Sequence, residues 1–312
     1  NLKKAKNINI KINIITKDSF NYLLKYNNYF DIIITNPPWE ILKPDSRELK
    51  NLEQKVKIDY KINLKKYDDF LAKNYPKSQP KKKFAGWGTN LSRVGAELCF
   101  KICKDSGFIA MVIPASFFSD IQSEKIRNEF VKNGEFLQIS YFPAESKLFG
   151  KADVISSSFL YKKENKQTSQ SKVLIFNKEL KVMSSNLIDI RKHNYKSTIP
   201  ITINKKSLNI LKKLQNKFPS WEKLENEHNE IWSGREIDET QILKRLSPKS
   251  DGLGFYKGRM IKRFQVLEDP KLFFKDKNFR IPKSCHFKRI AWRDVSRPTQ
   301  HRRMISTIIP KN

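Results

Sequence analysis

Glycine is scarce in this chain, with 10 in 312 residues and none before Gly86, so no glycine-dependent loop can form in the first quarter of the sequence. Cysteine is scarcer still. Cys99, Cys103 and Cys285 are too few and too unevenly spaced for a secreted disulfide framework, which points to a reducing, cytoplasmic setting. Cys99 and Cys103 lie four apart on an expected helix without a second ligand pair, so they are expected to be buried thiols and no metal site is expected. Long hydrophobic runs are also missing. The longest, GFIAMVIPASFF at 107–118, is too short to span a bilayer and carries a proline, and the N-terminus has no signal-peptide core, so no membrane association is expected. Acidic side chains number 32 against 62 basic ones, giving a formal charge of +30 that calls for a polyanionic partner. The lysines are diffuse, as on a solvated surface. Arginine is not: eight of the fourteen lie between Arg259 and Arg303.

The hydrophobic pattern predicts an α/β fold. INIKINII at 8–15 alternates as a strand does, and YFDIIIT at 29–35 is apolar throughout, as in a parallel strand covered on both faces. The stretch from Glu40 to Gly88 is polar and lysine-rich and reads as an insertion or lid, with KSQPKKK at 77–83 expected to be disordered or a phosphate contact. Leu91, Val94, Leu98 and Ile102 recur at helical spacing, Gly107 is the expected stop, and FIAMVIP follows as a strand. Strand, helix, strand is the βαβ signature. A helix is expected within 119–134, strands over 136–142 and 152–163, and one further strand or an exit from the domain over 172–179. Near residue 200 the rhythm changes, which suggests domains of 1–200 and 201–312, the second opening with an amphipathic helix over 207–224.

Asn36-Pro37-Pro38-Trp39 follows the strand DIIIT at the edge where open α/β sheets keep their ligands. Proline has no N–H, and Pro38 holds Pro37 extended, so the backbone offers carbonyl oxygens without competing donors. With the Asn36 side-chain oxygen, two acceptors converge on a ligand that brings an NH₂ group, and Trp39 offers a face for a planar ring. An aromatic amine is a poor nucleophile because its lone pair is delocalised. Acceptors gripping its hydrogens favour the pyramidal nitrogen and the positive charge that grows during alkylation. A plain turn closing the strand is the alternative for these four residues taken alone.

The motif, KDSF before it and GFIAMVIPASFF and KLFGKADVISSSFLY after it, together resemble an N6-adenine-specific DNA methyltransferase of a type II restriction-modification system, of the asymmetric-site, type IIS-like kind. The resemblance implies a Rossmann-like S-adenosylmethionine-dependent methyltransferase sheet followed by an α+β DNA target-recognition domain. It implies that Asn36 and Pro37 bind the amine of a flipped adenine, with Pro38 shaping the loop. Trp39 would stack on the base, and Phe149, or in second place Phe142, would complete the sandwich. Asp18 would bind the adenine amine of S-adenosyl-L-methionine with Phe20 packed beside it, and Pro114 would shape the pocket. That family also needs a glycine loop and a ribose-binding acid before these motifs, and neither is present, so the resemblance implies an N-terminally incomplete enzyme, inactive alone. A permuted order would need GLGFYKG at 252–258 to serve as the loop, and no buried strand precedes it.

From 255 to 303, fifteen Lys or Arg stand against four acidic residues, interleaved with Phe, Tyr and Trp. IWSGREIDETQI, FYKGRMIKRFQV and RIAWRDVSRPTQHRRM resemble the target-recognition region of the same enzymes. Arg259, Arg263, Arg293 and Arg297 are the expected base readers, and Lys257, Lys262, Arg302 and Arg303 the expected phosphate contacts. The expected partner is double-stranded DNA, with a cognate restriction endonuclease and a monomeric state implied. Protein-glutamine or RNA methylation keeps the motif and changes the substrate, and a non-catalytic DNA-binding remnant keeps only the basic region.

Overall fold

A computed structural model describes residues 13–81, 83, 86–150, 153–190, 198–202, 205–228, 231–275, 281–293 and 304–311. The chain divides into two compact units, Asn1–Asn216 and Lys217–Asn312. No described helix is long and apolar enough to cross a membrane.

The first unit is a mixed α/β layer structure. Helix α1 (Ser19–Tyr22) leads to strand β1 (Phe30–Thr35), then come α2 (Ser46–Leu49), α3 (Gln54–Asn74) and α4 (Leu91–Ile102). After β2 (Cys103–Pro114) the order is α5 (Glu124–Lys132), β3 (Gly134–Phe142), β4 (Ser156–Lys163), β5 (Gln170–Phe176), β6 (Val182–Asp189) and α6 (Lys205–Lys217). The six strands form one sheet in the order β1-β2-β4-β3-β5-β6, with β1·β2 and β3·β5 parallel and the other neighbours antiparallel. One face carries the core: Ile109, Met111, Ile113, Phe136, Ile139, Phe159 and Tyr161, closed by Ile126 and Phe130 of α5 and by Ala96 and Cys99 of α4.

Four expectations are corrected here. First, β1 is not covered on both faces. Ile33 packs into the core, but Ile32 is 66% and Ile34 81% exposed, so the second face of this edge strand is largely open. Second, α4 stops at Ile102 rather than Gly107. The chain passes straight into β2, where Phe30 pairs with Cys103 but Ile32 with Phe108, and the extra residues bulge out with Ser106 at φ 67°. Gly107 lies inside this bulge, where a β-carbon would meet the Asp31 carbonyl oxygen at 2.9 Å.

Third, the 40–88 stretch is no detached lid. Its longest element is α3, and Leu71 and the following Tyr75 are fully buried against Phe20, Val94, Leu98 and Ile102. The lysine-rich 77–83 stretch is anchored where described: Lys77 pairs with Glu129 at 2.6 Å, Lys81 with Glu124 at 2.7 Å and Lys83 with Asp68 at 2.7 Å, and Ser78 donates its N–H to Glu97. Fourth, residues 13–15 are not strand, and the rest of the strand expected over 8–15 lies outside the described residues. The Cys99 and Cys103 thiols are buried in the core, as expected.

The second unit is built of short elements: α7 (Trp221–Glu227), α8 (Glu239–Ile242), β7 (Leu246–Ser247), β8 (Leu253–Gly254), β9 (Ile261–Lys262), β10 (Gln265–Val266), β11 (Phe273–Phe274), β12 (Arg289–Trp292) and β13 (Ser306–Ile309). β11 pairs with both β7 and β8, β9 with β10, and β12 with β13, all antiparallel.

Candidate functional site

Sheet topology gathers the Asn36 loop, the end of the Pro114 strand and the Phe149 connection on one edge. β1 and β2 are parallel, so Asn36 and Pro114 both leave the sheet at their carboxyl ends. β4 runs against β2 with Ser156 opposite Pro114, and Phe142 of β3 also faces Ser156. The connection 143–155, which carries Phe149, therefore emerges at the same edge.

The motif loop is held from below. Pro37 is buried on α4, while Asn36 and Pro38 are exposed and Trp39 is half-buried. A β-carbon on Gly95 would lie 2.5 Å from Pro37 Cβ, so only glycine lets α4 approach this closely. α4 starts where the loop needs it. Asn90 caps it by accepting from the Ser92 and Arg93 amides, the Leu91 amide donates to the Glu40 carbonyl, and the Leu42 amide donates to Thr89. None of these supports was read from the sequence; a glycine in the middle of an apolar helix was the available signal.

The Asn36 side chain makes no hydrogen bond with another described residue, so both ends of its amide are free to meet a ligand. Trp39 and Phe149 meet edge to face, ring centroids 5.1 Å apart and planes at 77°. Phe149 is 42% exposed and sits between Lys147 at φ 47° and Gly150 at φ 68°. Trp39 Nε1 is buried without a hydrogen-bond partner. A planar ring between the two aromatics needs a separation of about 7 Å, two contact distances, so Phe149 has to swing off Trp39 to admit one. Phe142, the second choice, is stacked on Phe176 at 4.7 Å.

The turn after Pro114 is held by Arg127 of α5. This side chain is fully buried and donates to the carbonyls of Phe117 at 2.6 Å and Asp120 at 3.0 Å. Burial pushes its pKa down to about 10, still far enough above neutrality for the guanidinium to be charged.

Asp18 caps α1. Its Oδ1 accepts from the Phe20 amide and the Tyr67 hydroxyl, both at 3.1 Å, and the side chain is exposed beside a cleft of about 580 Å³ that is lined by Lys17, Asn21, Tyr22, Leu24 and Lys25 as well. Burial, then the Asp18 charge, pushes the Tyr67 phenol up, so it remains a donor. Phe20 is 8% exposed with its ring on Tyr75, a core position. As a seat for S-adenosylmethionine these residues fit an adenine end, where one carboxylate oxygen stays open to an exocyclic amine. They offer nothing for the ribose or the methionine end.

In the second unit the expected DNA contacts separate by what they touch. Arg259 and Lys262 are exposed, and the exposed Arg263 guanidinium lies 4.9 Å from the Phe264 ring centroid. Lys257 is paired with Glu239. Arg293 donates its Nε to the Ile261 carbonyl at 2.7 Å, and Arg289, singled out by no sequence argument, pairs with Glu236 at 2.6 Å and donates to the Pro310 carbonyl at 2.8 Å. Part of the arginine concentration therefore ties short strands together. Arg297, Arg302 and Arg303 lie outside the described residues.

Among solved structures, the type IIG restriction endonuclease BpuSI is similar over 90% of this chain and 34% of its own, at 14% identity and a TM-score of 0.41. The M protein of the type I restriction enzyme EcoKI is similar over 53% of this chain and 30% of its own, at 14% identity and a TM-score of 0.33. The chain spans between 13% and 43% of the length of eight solved structures it is similar to. No curated protein matches it. Residues 1–149 match the family of the Eco57I restriction-modification methylase.

Proposed function

We propose that the first unit carries the base-binding half of a DNA methyltransferase that alkylates N6 of an adenine flipped out of duplex DNA, and that the second unit binds that DNA. The observation that carries this reading is the uncommitted Asn36 amide at the end of β1, next to a Trp39–Phe149 pair at 5.1 Å. The Asn36 oxygen and the Pro37 carbonyl accept the two N6 hydrogens, which draws the nitrogen lone pair out of conjugation and toward the methyl donor. Trp39 stacks on the base and Phe149 closes over it after swinging aside. S-adenosylmethionine supplies an electrophilic methyl group. Asp18 holds the adenine end of that donor.

The match of residues 1–149 to a restriction-modification methylase supports this reading, as does the excess of cationic side chains over acidic ones, 62 against 32. The test is incorporation of tritiated methyl groups by the full-length gene product into duplex DNA, ribosomal RNA and release factor, offered separately. Label in DNA, recovered as N6-methyladenine, is the expected result. Label confined to RNA or protein moves the same acceptor chemistry to another substrate.

A further inference from the structure

The β9–β10 ribbon turns through two residues, Arg263 and Phe264, since Lys262 pairs with Gln265 and Ile261 with Val266. Phe264 has φ 61°, a conformation that favours glycine or asparagine and is an outlier for a bulky side chain. Its ring is 77% exposed. The backbone beneath is fixed, because the Phe264 amide donates to the Ser306 carbonyl at 2.8 Å. Neither packing nor local geometry accounts for phenylalanine at this position: burial gains little from it, and glycine would suit the turn better. What surrounds the ring is cationic, with the Arg263 guanidinium 4.9 Å from its centroid and Lys262 and Arg259 exposed on the same ribbon and the turn before it. A strained, solvent-facing aromatic at the tip of a two-residue hairpin, flanked by exposed positive charge, matches the chemistry of a side chain that enters a base stack.

We propose that Phe264 is a wedge that inserts between adjacent base pairs of duplex DNA, while Arg263, Lys262 and Arg259 engage the phosphates on either side. The proposal rests on the reading of the second unit as a DNA-binding module and adds a contact that reads deformability rather than base edges. Flexible pyrimidine–purine steps open most readily to such a wedge, so they are the steps it selects.

The test uses the 312-residue chain and a pool of random-sequence duplexes, with two readouts: binding by fluorescence anisotropy, and permanganate oxidation of unstacked thymines. Wild type binds and creates reactive thymines. Phe264→Ala binds about tenfold more weakly, the scale of a lost base–aromatic stack, and creates none. Phe264→Gly loses the same activity while its melting temperature stays level or rises, because it relieves the turn. Retention of DNA by wild type with no difference in either variant overturns the wedge alone. A lower melting temperature in Phe264→Gly also overturns it, since the ring would then be serving the fold. Failure of wild type to bind any duplex overturns the DNA-binding reading and the wedge with it.

Discussion

Pro37 and Gly95 are in direct contact: a β-carbon added to Gly95 would lie 2.5 Å from Pro37 Cβ. A mid-helix glycine costs about 1 kcal/mol relative to alanine, so Gly95→Ala would stabilise an ordinary helix by that amount. Here it forces α4 off the motif loop, and overpacking of this kind costs about 1–3 kcal/mol. We predict that Gly95→Ala lowers the urea midpoint and displaces the Asn36–Trp39 loop. A raised midpoint would show that the contact does not set the position of the loop.

Phe149 lies edge-on against Trp39 and is 42% exposed, so removing it uncovers the indole without opening the core. Phe149→Ala is predicted to leave the melting temperature within a degree or two while raising acrylamide quenching of Trp39, isolated from the other four tryptophans by subtracting the Trp39→Phe spectrum. Unchanged quenching would mean that Phe149 does not shield the Trp39 indole.

The sequence disclosed most of the sheet and the motif edge, because hydrophobic period and the Asn-Pro-Pro-Trp string are local properties. β3 and β4 fall where apolar runs and punctuation put them, β2 starts earlier than its apolar run because α4 stops at Ile102, and the 172–179 stretch takes the strand of its two readings as β5. The burial of α3 was hidden because its one buried apolar residue, Leu71, sits in a helix otherwise crowded with lysine, and tertiary contact decided its place. An apolar run could not reveal that Ile32 and Ile34 are exposed, since edge position is a property of the assembled sheet. In the same way arginine density marked the second unit without distinguishing Arg293, which donates to a backbone carbonyl, from Arg259, which faces solvent.

That distinction is testable. Arg259→Ala is predicted to weaken duplex binding uniformly across sequences and reduce the slope of log K against log salt by about 1, with the melting temperature unchanged. Arg293→Ala removes donors that tie residue 293 to the Ile261 carbonyl and is predicted to lower stability by about 1–2 kcal/mol in urea titrations. If Arg293→Ala leaves stability intact and changes sequence preference, Arg293 reads bases and the assignment is reversed.

Alkaline pH is predicted to destabilise the protein. Burial pushes the Cys103 thiol up from 9.0 to about 11 and the Cys99 thiol up to about 12, and it raises the Tyr67, Tyr75 and Tyr161 phenols from 10.0. Each folded-state pKa lies above its unfolded value. The contribution is therefore complete below about pH 9 and is lost as pH rises through the folded values, because the unfolded chain releases its protons first. Arg127, depressed to about 10 from 12.5, acts with the opposite sign only above pH 10, so the interval from pH 9 to 10 belongs to the thiols. Urea unfolding from pH 8 to 11 should show a flat region and then a decline, and a steady rise past pH 9 would contradict the burial of these groups.

The account stands on the acceptor pair that begins at Asn36. The most direct measurement is methyl transfer to duplex DNA by the full-length gene product and its Asn36→Ala variant, with DNA binding followed in parallel. Removing the side-chain acceptor is predicted to lower turnover by about 100-fold or more, the scale of a lost charge-stabilising contact, with binding nearly unchanged. Normal turnover by Asn36→Ala would contradict the role given to that side chain.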